Sequence, residues 1–289
     1  MTVAGFTHRF TTRPNKALSR DVGDYVARVV ASLPQLPLVA RYLVQRIFDR
    51  TVLGFWWIAL RALTPVAAMA LIFMHVTEFG TPGLFYPVFL LAGMTVWIVV
   101  DIGISYGMRS LFAGRRLQRM MRLPAFLFSL ASLSMPLIHG AVMLSVLVFA
   151  VIVCGIAGVD LPSMMRWQLA LFPVLIALVA MLVTGLTVFV SIAFILTRDT
   201  RFVVPMLTQV WFFGTPVLYP LSALPPGWQT LSLYLNPLTP IMEASRYALF
   251  GIGQWPAVPL LVSAFFIGVV FLCGIWFMMR SEWVLPDMS

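Results

Sequence analysis

Lys16 is the only lysine among the 289 residues, and no glycine loop precedes it. A nucleotide-phosphate cradle needs GxxxxGK followed by Ser or Thr, with the lysine reaching the β- and γ-phosphates. No ATP or Mg²⁺ site is therefore expected in this chain, and ATP-driven work would fall to a separate subunit. His8, His75 and His139 stand apart, with no HxxxH or CxxC partner, so no metal site is expected. Cys154 and Cys273 lie far apart in apolar runs and read as small core residues. No Ser-His-Asp set or carboxylate pair is legible, so no catalytic residue is assigned. What remains is charge in apolar surroundings. Arg61 and Asp101 interrupt two hydrophobic runs, each about 10–12 Å from the same end at ~1.5 Å per residue. A lone charge at the centre of a spanning helix costs on the order of 2.5–3.5 kcal/mol to insert, and Arg61 and Asp101 are expected to neutralise each other. Glu243 and Arg246 are three residues apart, within pairing reach on a helix.

The elements that carry these charges are membrane helices. Hydrophobic residues make up 61% of the chain and charged residues 10%, against about 45–50% and 25% in soluble proteins. Spans are expected at Val52–His75, Leu84–Met108, Phe128–Ala157, Trp167–Leu196, Phe202–Leu221 and Val258–Met279. Met1–Ser32 lacks the continuous apolar core of a secretory signal. Ala17–Ser32 and Leu38–Arg50 read as amphipathic helices at the headgroup level, within an amino-terminal segment of residues 1–50 ahead of a six-helix membrane domain over 51–289. The net charge of +9 is explained by topology, not by nucleic acid. Eight basic residues precede the first span, five lie between the second and third, two between the fourth and fifth, and Arg280 follows the last. The opposite side keeps Arg166 and Arg246. By the positive-inside rule both termini and the 109–126 and 197–201 loops are expected in the cytoplasm.

Two stretches stand out. In the 109–126 loop, Arg115, Arg119 and Arg122 fall on one helical face beside Arg116, with Met120, Met121 and Leu123 apolar. Such a face can sit on anionic lipid or dock on a partner. Downstream of Phe202–Leu221, the chain breaks at Pro225-Pro226-Gly227 and again at Asn236-Pro237. Trp228–Leu235 and Pro240–Phe250 are each too short to cross a core that needs about 20 residues. They are expected to dip in and return, with Thr239 capping the second. Trp56, Trp97, Trp211, Tyr219, Trp228 and Tyr234 are large aromatics whose faces can stack on sugar rings, although belt or core packing is open to each.

Residues 198–253 carry a resemblance. Arg198-Asp199-Thr200-Arg201-Phe202 with Pro205, Gln209 and Trp211, then Thr215-Pro216-Val217-Leu218-Tyr219-Pro220, is similar to the permease subunits of polysaccharide ATP-binding-cassette exporters. So are Asn236-Pro237-Leu238-Thr239-Pro240-Ile241 and Glu243 with Arg246-Tyr247-Ala248-Leu249-Phe250-Gly251. The likeness returns at Thr51-Val52-Leu53-Gly54-Phe55-Trp56-Trp57. It implies a homodimer with two copies of a separate ATPase, exporting a lipid-linked, O-antigen-like polysaccharide from the cytoplasmic (inner) membrane. It further implies that Arg115, Arg116, Arg119, Arg122 and Pro124 belong to an ATPase-coupling element. This version is richer in arginine and lacks the acidic residue that often follows the proline. Trp228, Asn236, Pro237, Glu243 and Arg246 would form a gate within residues 225–253, and Trp56, Trp97, Trp211, Tyr219 and Tyr234 would line the channel. The expected fold is all-α: six spans, an amphipathic amino-terminal helix and two re-entrant half-helices before the last span. Export of a drug or small lipid, and a non-transporting envelope scaffold, are the alternatives.

Overall fold

A computed structural model describes residues 22–48, 84–159, 167–197 and 199–282, with isolated helical positions between 56 and 71. Most of the first expected span, Arg61 included, lies outside the described residues. Among the described residues the chain is helical with short turns and no strand. The helices are α1 (Val22–Ser32), α2 (Leu36–Phe48), α3 (Tyr86–Met121), α4 (Ala125–Ser132), α5 (Ser134–Ile156), α6 (Phe172–Leu196), α7 (Thr200–Phe213), α8 (Pro226–Leu235), α9 (Leu238–Phe250) and α10 (Ala257–Ser281).

Four stretches among them are long and apolar enough to cross a membrane: α3, α4 with α5, α6 with the turn before it, and α10. They are not equivalent. In its most apolar window α3 is 89% buried, whereas α10 is 17% buried, so α3 is the axis around which the others pack. α5 and α6 lie along α3, and α10 lies along α6. Without a hydrophobic force between helices in lipid, such contacts depend on close packing and small residues. Gly107 of α3 is one of these. A Cβ there would come within 2.1 Å of Thr187 Cγ2 on α6, so only glycine permits the approach.

A second apolar cluster forms at the arginine-rich end of α3. Tyr25 and Val29 of α1, and Val39 and Leu43 of α2, are buried there against Leu123, Phe126, Leu127 and Met278. Val22, Val26, Val30 and Leu38 of these helices remain exposed. The amphipathic amino-terminal segment thus packs one face on the protein and leaves a second apolar face outward.

Three boundaries differ from the sequence reading, each for a local reason. The helix of the second span does not stop at Met108: α3 continues to Met121 as one 36-residue helix, so the helical face read within 109–126 belongs largely to the same helix. Arginine, leucine, methionine and glutamine are all strong helix formers, and Gly114, the weak point, is held against the Phe128 ring. The third span is broken at Leu133, between α4 and α5. Pro136 cannot donate to the carbonyl four residues back, and the Ser132 and Ser134 hydroxyls donate to Ser129 O and Ala131 O at 2.7 and 2.8 Å. Most consequentially, Phe202–Leu221 is not one helix. α7 ends at Phe213 after 14 residues, and the chain turns through Gly214–Tyr219. Pro216 biases Thr215 away from helical backbone and removes one more donor. The two short helices fall where expected, as α8 and α9, joined at Asn236-Pro237.

Candidate functional site

Ending α7 at Phe213 leaves a run of carbonyl groups without helical partners. Buried backbone acceptors must find donors, and the fold supplies them from side chains. Tyr219 donates its hydroxyl to Phe213 O at 3.0 Å, and Asn236 Nδ2 donates to Gly214 O at 3.2 Å. Arg246 Nη2 donates to Pro216 O at 2.7 Å and to Val217 O at 3.1 Å. Tyr86, at the start of α3, donates to Leu218 O at 3.1 Å. Gln229 Nε2 reaches Leu224 O at 2.7 Å, and Ser263 of α10 reaches Pro237 O at 3.0 Å.

Asn236 is the small hub of this arrangement. Its amide nitrogen also donates to Thr215 Oγ1 at 2.8 Å. Its Oδ1 accepts from Trp211 Nε1 at 3.0 Å and from the backbone N–H of Leu238 at 3.1 Å. The second contact caps the start of α9. Thr239, expected to do so, instead shares a 2.9 Å hydrogen bond with Ser232 of α8. The reason is that α9 begins at Leu238, ahead of the start at Pro240 that the sequence suggests, so Thr239 is already inside its first turn.

Arg246 is the larger hub. Only 3% of it is exposed. Its Nη1 donates to Glu243 Oε1 at 2.8 Å, which makes the expected ion pair. Its guanidinium lies 3.8 Å from the centre of the Phe89 ring on α3. Gly93, one turn further along α3, makes room: a Cβ there would stand 3.1 Å from Arg246 Nη2 and 3.0 Å from Val217 O. Arginine suits this place because its planar fork can serve an acid, two carbonyls and a ring face at once. Sequence reasoning found the Glu243 contact and missed the two carbonyls. The signal was a single arginine among Ala244, Ser245 and Ala248, small residues that bring a helix close to its neighbours.

The other end of α3 holds the arginines. Arg115 lies over Phe112 at 4.1 Å, half-buried, while Arg116 and Arg119 are exposed. Arg122 does not share their helical face, because it leaves the helix in the left-handed conformation at φ 52°. Met120 and Met121 are exposed, and Leu123 and Pro124 are buried beneath them. The chain re-enters helix at Ala125, whose N–H is taken by Glu282 Oε1 at 2.7 Å. Glu282 Oε2 faces Arg28 of α1 at 3.7 Å. One carboxylate thus joins α1, α4 and the end of α10. Burial raises its pKa above the ordinary carboxylate value, against the Ala125 N–H and Arg28, which act the other way.

The remaining sites scatter. Asp101 is partly buried on α3, and its expected partner Arg61 lies outside the described residues. Trp97 is 5% exposed and set edge-on to Trp211, their centroids 6.2 Å apart. Trp56, Trp228 and Tyr234 are exposed, and Tyr219 is half-buried.

Two outcomes follow from this geometry. Asn236→Ala should lower the melting temperature by leaving Gly214 O and the Trp211 N–H unsatisfied, at about 1–3 kcal/mol for such groups. Trp211→Phe should be milder and strongly non-additive with it in a double-mutant cycle; additive losses would separate the two residues. At the other end, Glu282 has a folded pKa above its unfolded one. Its contribution is full below the ordinary carboxylate value and is lost as pH rises through the folded pKa. Protease cutting of α1 should therefore speed up as pH rises from acid toward neutral, and Glu282→Gln should flatten that dependence.

Comparison with known proteins identifies this architecture. The ABC-2 type transporter family model matches residues 34–250. A relative described as an O-antigen export system permease protein, RfbA of Myxococcus xanthus, is 28% identical over 256 residues, which cover 88% of this chain and 92% of that protein. The match takes in α2 through α9, so both ends of α3 described above lie within it. The chain belongs to the ABC-2 type transporter family and is a membrane permease subunit, not an enzyme.

Proposed function

We propose that this permease exports a lipid-linked polysaccharide of the O-antigen kind across the cytoplasmic membrane, as a homodimer with two copies of a separate ATPase. A permease of this family works with an ATPase partner in general; the substrate class rests on the similarity to an O-antigen export permease. One observation supports the layout most strongly. The side-chain-satisfied breaks around Arg246 pack beside Gly93, and the arginines begin at Arg109 on the same helix. At ~1.5 Å per residue the two lie about 24 Å apart, and Arg115 is about 33 Å from Gly93, close to a hydrocarbon thickness of ~30 Å.

In this reading the termini and the Arg115, Arg116, Arg119, Arg122 and Pro124 element face the cytoplasm, where the arginines and the exposed Met120 and Met121 dock on the ATPase. The span expected over Val52–His75, which lies outside the described residues, and α7 with its following turn would bring the four apolar stretches to six membrane passes. α8 and α9 are re-entrant half-helices at the outer mouth. Trp228, Asn236, Pro237, Glu243 and Arg246 hold them closed, and Trp56, Trp211, Tyr219 and Tyr234 offer ring faces to sugars as the polymer passes. Trp97, buried in the core, acts through Trp211.

The direct test is gene deletion with complementation. Loss should remove surface glycan and leave lipid-linked polymer in the cytoplasm. The native gene should restore export, and a variant with Arg115, Arg119 and Arg122 changed to Ala should neither restore it nor copurify the ATPase. Unchanged surface glycan on deletion rules out the substrate; full copurification by the triple variant rules out the docking element. For the gate, a single cysteine at the exposed Thr230 should label from outside, and one at the buried Ala244 should label from outside only during turnover. Labelling from the cytoplasm alone would invert the topology. The gate is bistable only if its closed state lies a few kcal/mol or less below the open one, so Glu243→Gln should raise leakage of small solutes more than it lowers yield.

A further inference from the structure

We propose that a cleft between α2, α3 and the α4–α5 break binds the phosphate headgroup of a membrane lipid. The cleft encloses about 340 Å³. Arg46 of α2 and Arg109 of α3 stand on its wall, and no acidic side chain lines it among the described residues. Arg46 is fixed in place, because its Nη1 donates to Ala113 O at 2.5 Å. That contact leaves the Nη2 side of the fork without a partner among the described residues. Arg109 is exposed and likewise has no partner among the described residues. Two guanidinium groups converging from different helices match a phosphate, which accepts paired N–H donors.

The rest of the lining suits an amphiphile. Ser132 and Ser134 have already given their protons to Ser129 O and Ala131 O, so their oxygens can accept only from headgroup hydroxyls, while the Tyr106 hydroxyl can donate beside the arginines. Leu43 and Met135 form a buried apolar floor. Depth selects a lipid over a soluble anion. Arg109 stands 23 residues beyond Tyr86, about 34 Å along α3, just past a hydrocarbon core of ~30 Å. That is the headgroup level, where α2 also lies with the exposed apolar side of Leu38 outward. The kink at Leu133 opens the space: an unbroken third span would carry Ser132 and Ser134 along one straight helix. The proposal does not depend on which cargo the transporter moves.

Full-length protein in detergent is titrated with dioleoylphosphatidylglycerol, with retained lipid read by native mass spectrometry. Wild-type protein should retain it, and dioleoylglycerol, which has the same tails without the phosphate, should not be retained. Arg109→Gln removes a side chain that supports nothing else described, so it tests binding apart from folding. It should weaken retention roughly 10-fold or more, the scale of a hydrogen bond to a charged group. Arg46→Gln should weaken it too, whereas Arg41→Gln, on the same helix but outside the cleft, should leave it unchanged. Equal retention by the Arg109→Gln and wild-type proteins would overturn the site. So would an equal loss in Arg41→Gln, which would mean diffuse charge attraction. Displacement of the lipid by millimolar sodium pyrophosphate would overturn the lipid as occupant in favour of a soluble phosphate.

Discussion

Backbone carbonyls cannot stay bare where there is no water. That constraint explains the arrangement of residues 200–263. Seven carbonyls freed by the breaks, those of Phe213, Gly214, Pro216, Val217, Leu218, Leu224 and Pro237, each accept a side-chain donor. The donors come from α3, α8, α9, α10 and the turn itself. A buried polar group left unsatisfied costs about 1–3 kcal/mol, so the buried carbonyls of Pro216 and Val217 depend on Arg246. The conformation of the turn is therefore tied to the packing of the elements that supply these donors.

Arg246 carries the largest share of that task, and its position sets demands elsewhere. Glycine is required at position 93, an aromatic face at Phe89 and a carboxylate at Glu243. Removing one partner of a buried charge pair is destabilising by about 3–5 kcal/mol. Yet the pair is not sealed: the Glu243 side chain is 22% exposed, while that of Arg246 is 4% exposed. A charge cluster open on one side can be relaxed by water or by a polar cargo more readily than an apolar plug can.

Much of this was legible in the sequence because it depends on local pattern. Composition and run length disclosed membrane helices, and arginine placement distinguished the two ends of α3. Pro225-Pro226-Gly227 and Asn236-Pro237 marked the two short helices, since proline and glycine act on their immediate neighbours. What escaped detection depends on distant partners. Tyr86 and Leu218 meet across 132 positions, and Arg246 reaches Pro216 across 30; no periodicity encodes either contact. Hydropathy also counts side chains and is blind to where hydrogen bonding stops, so Phe202–Leu221 read as one span although its helix ends at Phe213. At Met108 charge marked the end of the expected span, and the helical face read beyond it continues the same helix to Met121. Asn236 was legible as a turn residue but not as a cap, because Thr239 just before Pro240 offered a commoner capping pattern.

The claim that these donors hold the chain path is tested most directly by amide hydrogen exchange on the protein in lipid nanodiscs, comparing wild type with Arg246→Lys. Lysine keeps the charge but presents a compact ammonium in place of the fork, so it cannot serve Glu243, Pro216 and Val217 together. The account predicts faster exchange confined to the turn after α7 and to the first turns of α8 and α9, with the core of α3 unchanged. Exchange indistinguishable from wild type across residues 214–240 would contradict it.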